Sequence, residues 1–164
     1  MTNRDPDRDR AARYESPFGA GWVLFRGDVI TEVVLPGVPA PVPEAFDPPD
    51  SVQVLARQLS EYFAGGRWPQ YPELVARAGS TPFTQDVYQT VAAIPTGRVR
   101  TYGDIARQLG RPGAARAVGR AMATNPFPVV IPCHRVVGSS GSLTGFGGGI
   151  DMKAAMLEME GARG

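Results

Sequence analysis

Tyr102-Gly103-Asp104-Ile105-Ala106-Arg107-Gln108-Leu109, then Gly110-Arg111-Pro112-Gly113, then Ala114-Ala115-Arg116-Ala117-Val118-Gly119-Arg120-Ala121-Met122-Ala123-Thr124: these consecutive pieces read as helix, turn and helix. The glycines and proline of the middle piece punctuate two short helical patterns, which is the helix-turn-helix arrangement. The pattern alone is weak, since glycine-joined short helices occur in many folds. What distinguishes the second helix is its lack of bulk. Between Ala114 and Ala121 it carries small residues, Val118 and two arginines, and Gly119 costs it roughly 1 kcal/mol relative to alanine. Close helix–helix packing would account for small residues. A helix that enters a narrow groove, with arginines to hold phosphates, accounts for the arginines as well.

Working upstream, Thr81-Pro82 opens a helix whose Phe83, Val87, Val91 and Ile94 share a face, and Pro95-Thr96-Gly97 stops it. Residues 69–80 carry no clear pattern, and the domain boundary falls near Gly79. Before it, Ser51 to Phe63 places Val52, Leu55, Leu59, Tyr62 and Phe63 at helical spacing. Residues 36–49 contain six prolines, so they form neither a helix nor a central strand. Gly21–Phe25 and Val29–Leu35, separated by Arg26-Gly27-Asp28, read as antiparallel strands. Residues 1–13 are rich in Asp, Arg and Asn and read as a disordered lead-in. The expected organisation is therefore a lead-in (1–13), a small sheet-and-helix domain (14–80) and a helical domain (81–164).

The net charge of +1 conceals an asymmetry: residues 1–80 sum to −3 and residues 81–164 to +4. Arg98, Arg100, Arg107, Arg111, Arg116, Arg120 and Arg135 are interrupted by a single acidic residue, Asp104. Such a block suits a polyanion, because each neutralised phosphate releases counterions. A solvated basic face would look the same by charge alone. No apolar run is long enough to span a membrane, and the N-terminus has no apolar core of a secretory signal. The single cysteine permits no internal disulfide and fits a reducing compartment. The expected location is cytoplasmic, with no membrane partner and no secretion.

The chemistry concentrates at Pro132-Cys133-His134-Arg135-Val136, reached through the rigid apolar run Pro126-Phe127-Pro128-Val129-Val130-Ile131. The chain's one cysteine and one histidine are neighbours. A free cysteine is ordinarily a small buried hydrophobe and a lone histidine a satisfied core residue, but neither explains their coincidence. A thiol with an ordinary pKa near ~8.5 is mostly protonated at neutral pH and needs a base or cation to attack. His134 can be that base, and a carboxylate could hold its other ring nitrogen. Such a pair also serves proteases and acyltransferases, which require a second substrate or water to release the acyl group. One Cys and one His cannot make a zinc site, so no metal is expected. The glycine-rich stretch 138–149 lacks the lysine of a phosphate-binding P-loop. It suits close backbone approach to a flat ligand, with Phe146 as a wall. A last helix, Asp151 to Glu160, puts Met152, Ala155, Met156 and Met159 on its apolar face.

Pro132-Cys133-His134-Arg135-Val136, preceded by Asn125-Pro126 and followed by the glycine-rich stretch, resembles the active site of the 6-O-alkylguanine-DNA alkyltransferases. The likeness runs without a gap from about Thr101 to Gly161 and more loosely from Thr81. Upstream it is confined to Ser16-Pro17-Phe18-Gly19 and the hairpin after it. It implies that Cys133 accepts the alkyl group once, that His134 draws its proton through a water, and that Glu160 orients His134. Asn125 would be the hinge between the DNA-binding helix and the active-site turn. Thr101, Tyr102, Ala115, Arg116, Arg120 and Arg135 would contact DNA, with Tyr102 crowding the phosphate 3′ to the target and Arg116 filling the vacated stack. Tyr102, Val136, Phe146 and Gly147 would line the pocket of the flipped base.

Many relatives carry Tyr at Phe146 and some carry Ser at Gly147, so a hydroxyl contact is absent at the first and only a backbone contact remains at the second. The zinc site of some relatives' N-terminal domains has no ligands here. The resemblance implies an α+β protein: an N-terminal ribonuclease-H-like sheet-and-helix domain and a C-terminal winged-helix-like DNA-binding domain with a helix-turn-helix. It implies no cofactor, a monomer, and double-stranded DNA containing alkylated guanine as partner. The rivals are a non-enzymatic sensor of alkylated DNA, whose representatives lack the cysteine, and a helix-turn-helix regulator, which leaves Cys133-His134-Arg135 unexplained.

Overall fold

The structure, a computed structural model, describes residues 7–143 and 149–162. The chain divides into two compact units, Met1–Pro69 and Gln70–Gly164, which together make a mixed α+β architecture.

The first unit is a three-stranded antiparallel meander of β1 (Asp9–Tyr14), β2 (Gly21–Arg26) and β3 (Val29–Val34), in that order across the sheet. Both faces of the sheet are covered. On one side α1 (Asp50–Phe63) buries Val52, Leu55, Leu59 and Phe63, as its periodicity predicts, and packs on β1 and β2. On the other, Ala11, Trp22 and Leu24 gather Ala40 and Val42 of the proline-rich segment. That segment cannot supply a ladder of N–H donors, but it grips β1 where it can. Ala11 donates to the Pro43 carbonyl at 3.0 Å and Ala45 donates to the Ala11 carbonyl at 2.7 Å. Trp22 Nε1 donates to the Val38 carbonyl at 2.9 Å. The prolines thus cap a free strand edge and a sheet face without offering a new edge. Gly21 is required by packing: a Cβ there would lie 2.0 Å from Cζ of Tyr14.

Residues 9–13 depart from the expected disordered lead-in, since they belong to β1. Their charges disguise a strand. Ala11 and Ala12 are buried, and Asp9 lies opposite Arg26 in the register and pairs with it at 2.9 Å. Composition flags the charges but not their cross-strand partners.

The second unit runs α2 (Pro72–Arg77), α3 (Pro82–Ala92), β4 (Arg100–Thr101), α4 (Tyr102–Gln108), α5 (Ala115–Ala123), a 3-10 turn (Cys133–Arg135), β5 (Val136–Val137) and α6 (Ile150–Met159). Helix α2 fills the stretch whose sequence carried no clear pattern. Helices α3 and α4 both begin with reciprocal capping boxes, Thr81 with Thr84 and Thr101 with Asp104. Gly110, at φ 73°, ends α4 in the left-handed conformation and turns the chain toward α5. Tyr88 of α3 donates to the Ala121 carbonyl at 2.8 Å and ties α3 to α5. The short parallel pair of β4 with β5 sets Arg100 beside Val136 and Thr101 beside Val137. It therefore fixes the start of α4 next to the end of the cysteine turn.

Candidate active site

Cys133 is delivered by a rigid connection. Asn125, just past α5, spans the loop with its side chain: Nδ2 donates to the Ile131 carbonyl at 2.9 Å and Oδ1 accepts from Phe127 N–H at 2.9 Å. The Ile131 carbonyl also accepts from Cys133 N–H at 2.7 Å, and Ile131 N–H donates to the Phe127 carbonyl at 2.8 Å. One asparagine therefore holds both ends of the loop that presents the thiol. Val129 lies within this loop at φ 76°, a conformation that a β-branched residue adopts at a cost of about 1–3 kcal/mol. The strain is held by burial of Val129, Val130 and Ile131.

Behind the thiol lies a buried charge cluster. His134 Nε2 sits 2.8 Å from Glu160 Oε2. Arg135 donates to both oxygens of the same carboxylate, from Nε at 2.9 Å and from Nη2 at 3.0 Å. It also donates from Nη1 to the Ile94 carbonyl at 2.6 Å and from Nη2 to Thr96 Oγ1 at 3.1 Å. The side chains of His134 and Arg135 are 0% exposed and that of Glu160 is 2% exposed. This corrects one expectation: Arg135 faces no phosphate. Its planar fork is committed to Glu160 and to the end of α3, the bidentate geometry that guanidinium suits best.

The electrostatics follow from the burial. Desolvation pushes the Cys133 thiol above its ordinary pKa, opposed by the Asn125 side chain and the charge of Lys153. Desolvation likewise lowers His134, opposed by its bond to Glu160, while the charges of Arg135 and Lys153 lower it further. At neutral pH the site therefore rests as thiol and neutral imidazole, beside a carboxylate already neutralised by Arg135. A resting thiol with a neutral base at hand is poised to lose its proton only as it reacts.

The remaining expected residues fall on two elements. Thr101 caps α4 and Tyr102 is its first residue, half-buried. Ala115 begins α5, and Arg116 and Arg120 are exposed on it. Arg98, Arg100, Arg107 and Arg111 are exposed as well, with Arg107 paired to Asp104. The basic block is thus a surface of six arginines, with the seventh buried. A methyl group on Gly119 would meet only the Tyr102 ring, at 3.9 Å, so packing within this unit does not demand glycine there. Val136 is fully buried in β5. Phe146 and Gly147 lie outside the described residues.

One residue escaped the reading of the sequence. Lys153 is 1% exposed and lies on the buried side of α6 with Met156 and Leu157. The expected apolar face (Met152, Ala155, Met156, Met159) is rotated accordingly, with Met152, Ala155 and Met159 only partly buried. A charged residue at a core position defeats hydrophobic periodicity. The available signal was composition, since of the 17 basic residues Lys153 is the one lysine.

Residues 82–162 match the family described as 6-O-methylguanine DNA methyltransferase, DNA binding domain. A methylated-DNA–protein-cysteine methyltransferase of Mycobacterium bovis is 43% identical over 151 residues, spanning 91% of this chain and 90% of the relative. One from Salmonella typhimurium is 50% identical over 107 residues, 65% of this chain and 62% of the relative. Among solved structures, Mycobacterium tuberculosis OGT in complex with DNA aligns with a TM-score of 0.75 at 38% identity, covering 93% of this chain and 92% of that one.

Proposed function

The chain belongs to the methylated-DNA–protein-cysteine methyltransferase family, and we propose that Cys133 is the residue that receives the alkyl group. The protein repairs DNA by direct reversal, moving an alkyl group from oxygen 6 of guanine to a cysteine of its own chain. Its partner is DNA carrying the alkylated base. The observation that carries the assignment is the buried Cys133 next to a buried His134 in one turn, the histidine held by its 2.8 Å contact from Nε2 to the Glu160 carboxylate.

In the reaction, Cys133 loses its proton to His134 through a water. The Sγ–C bond forms as the carbon–O6 bond breaks, the released electron pair returns to guanine, and the guanine ring nitrogen takes up one proton, equivalent to the one that Cys133 gave up. Glu160 holds the imidazole through Nε2 and favours the imidazolium that forms, leaving Nδ1 for the proton relay. The thioether product is a poor leaving group and nothing regenerates the thiol, so each molecule acts once. Base flipping exposes O6, which is otherwise within the paired stack. Tyr102 crowds the 3′ phosphate, Arg116 enters the vacated space, and Thr101, Ala115 and Arg120 line the approach. Val136, Phe146 and Gly147 complete the base pocket. Asn125 acts as the hinge between α5 and the cysteine turn, supported by its two bonds across that loop.

We further assign the first unit to a ribonuclease-H-like sheet-and-helix arrangement and the second to a winged-helix-like domain, acting as a monomer in the cytoplasm, without cofactor. The test is intact-protein mass spectrometry after incubation with excess DNA containing 6-O-methylguanine. Each molecule should gain the mass of one methylene, mapped to Cys133, while Cys133→Ser should bind DNA nearly as well and gain nothing. Label on any other residue, or more than one turnover per molecule, overturns the assignment.

A further inference from the structure

The chain uses arginine for every basic position except 153, and that lone lysine is buried. Arginine and lysine are not equivalent choices at such a place. An ammonium is a compact point charge on a flexible stem and responds strongly to burial, whereas guanidinium is a planar fork. A buried cation that serves only packing would be better replaced by methionine, which α6 already carries at residues 152, 156 and 159.

Its position points to the reaction. Helix α6 packs against the Cys133–Arg135 turn. Lys153 and Glu160 are seven residues apart, two helical turns, and so fall on the same side about 10 Å from one another along the axis. Glu160 takes the His134 and Arg135 end of the turn. Lys153 serves the other: its Nζ lies 5.9 Å from the ring centroid of Tyr102, the first residue of α4. Its charge acts on Tyr102 from α4 and on Cys133 and His134 from the turn, while Glu160 and Arg135 engage one another at the far end of that turn. The one cysteine, the one histidine and the one lysine of the chain share this neighbourhood.

We propose that Lys153 is a positioning residue of the transfer reaction, its buried ammonium favouring the anionic form of Cys133 as the proton leaves and its charge holding the Tyr102 ring beside the acceptor. As Sγ gives up its proton to His134, negative charge grows on sulfur before the bond to carbon is complete. The ammonium offsets that charge in a buried site, where it counts for more than in bulk solvent. Burial lowers the pKa of Lys153 itself and the charge of Cys133 opposes that, while the charge of Lys153 in turn lowers both Cys133 and His134. The same ammonium disfavours a second cation on His134, so it keeps the base neutral. Both actions work in the same direction on pH. Removing the charge raises the pH at which the thiol ionises and raises the pH below which His134 is protonated.

The inference rests on Cys133 as acceptor and is tested where DNA binding plays no part. Single-turnover reaction with the free base 6-O-benzylguanine is followed by intact mass from about pH 6 to about pH 9.5, the span in which histidine and cysteine titrate. For Lys153→Met the rise of rate with pH should move upward by about one unit, giving about a tenfold loss at neutral pH that recovers in alkali. An unshifted profile, whether at full rate or uniformly lowered, overturns the proposal and leaves a structural lysine. Should Lys153→Met fail to fold, the unaltered protein decides. With one lysine, labelling by 13C-lysine gives one Cε signal. That signal should step at the pH where Cys133 ionises, and the step should vanish once Cys133 is methylated. A signal indifferent to the state of Cys133 overturns the proposal. Failure of the wild-type protein to take the benzyl group at Cys133 would instead remove the parent assignment.

Discussion

Arg135→Met separates a cation that holds the active site together from one that grips DNA. The buried Arg135 side chain hydrogen-bonds the Ile94 carbonyl, Thr96 Oγ1 and both oxygens of Glu160. Methionine fills much of the volume but leaves the Glu160 carboxylate, 2% exposed, with its charge uncompensated. Breaking a buried pair from one side costs about 3–5 kcal/mol. For a chain of this size each kcal/mol moves the melting temperature by about 2–4 °C, so a fall of about 10 °C is expected.

A pH signature should accompany that loss. Arg135 lowers the pKa of His134, so its removal raises it and lets the imidazolium take over as partner of Glu160. Without Arg135 the folded histidine takes its proton at higher pH than in the unaltered protein, so the variant loses less stability than the unaltered protein as pH falls below the unfolded value near ~6.5. The deficit of Arg135→Met should therefore be smaller at acid pH than at neutral pH. Thermal unfolding at several pH values measures both effects. Duplex binding below the transition, measured against salt, should keep its slope. An unchanged melting temperature together with a slope reduced by about one would return Arg135 to the phosphate-contacting set.

Arg116→Ala should slow repair of duplex DNA at saturating concentration while leaving reaction with free 6-O-benzylguanine nearly unchanged; equal losses on both substrates would make Arg116 part of the pocket or the fold. Gly119→Ala should stabilise the protein by roughly 0.5–1 kcal/mol in thermal or denaturant unfolding, because alanine fits beside Tyr102. It should also weaken duplex binding if α5 needs bare backbone against DNA. Burial lowers His134, so the unfolded chain binds a proton near pH ~6.5 that the folded one refuses, and stability should decline as pH falls below that value. The acid limb of the transfer rate should correspondingly lie below the ordinary histidine value; a limb above it would show that Glu160 outweighs desolvation.

What could be read from the sequence was whatever is local. The start of α3 was legible because Thr81-Pro82 is a local capping signal, and the structure closes it with Thr84. The face of α1 was legible because burial follows its period of 3.6. The cysteine and histidine were legible by adjacency, and Glu160 by resemblance. Residues whose role depends on distant partners were not. Arg135 belongs by composition to a basic block, yet its partners lie at 94, 96 and 160, and no local rule reports them. Strand β1 was hidden for the same reason, since Asp9 is paired only through Arg26 across the sheet. Lys153 broke a periodic pattern, and a single break reads as an error in the pattern before it reads as a buried charge.

Arg135 and Lys153 together explain how a carboxylate this close to histidine leaves the base neutral. Glu160 alone, buried 2.8 Å from Nε2, would favour the imidazolium and spend the base before reaction. Arg135 occupies both carboxylate oxygens and supplies the compensating charge in advance, so the cluster is balanced with His134 unprotonated. Desolvation and Lys153 add to the same bias. On the proposed mechanism the imidazolium forms only when Cys133 releases its proton, and Glu160 is then already oriented toward it. On that mechanism the carboxylate acts chiefly in the transition state, because its ground-state charge is taken up by the buried Arg135.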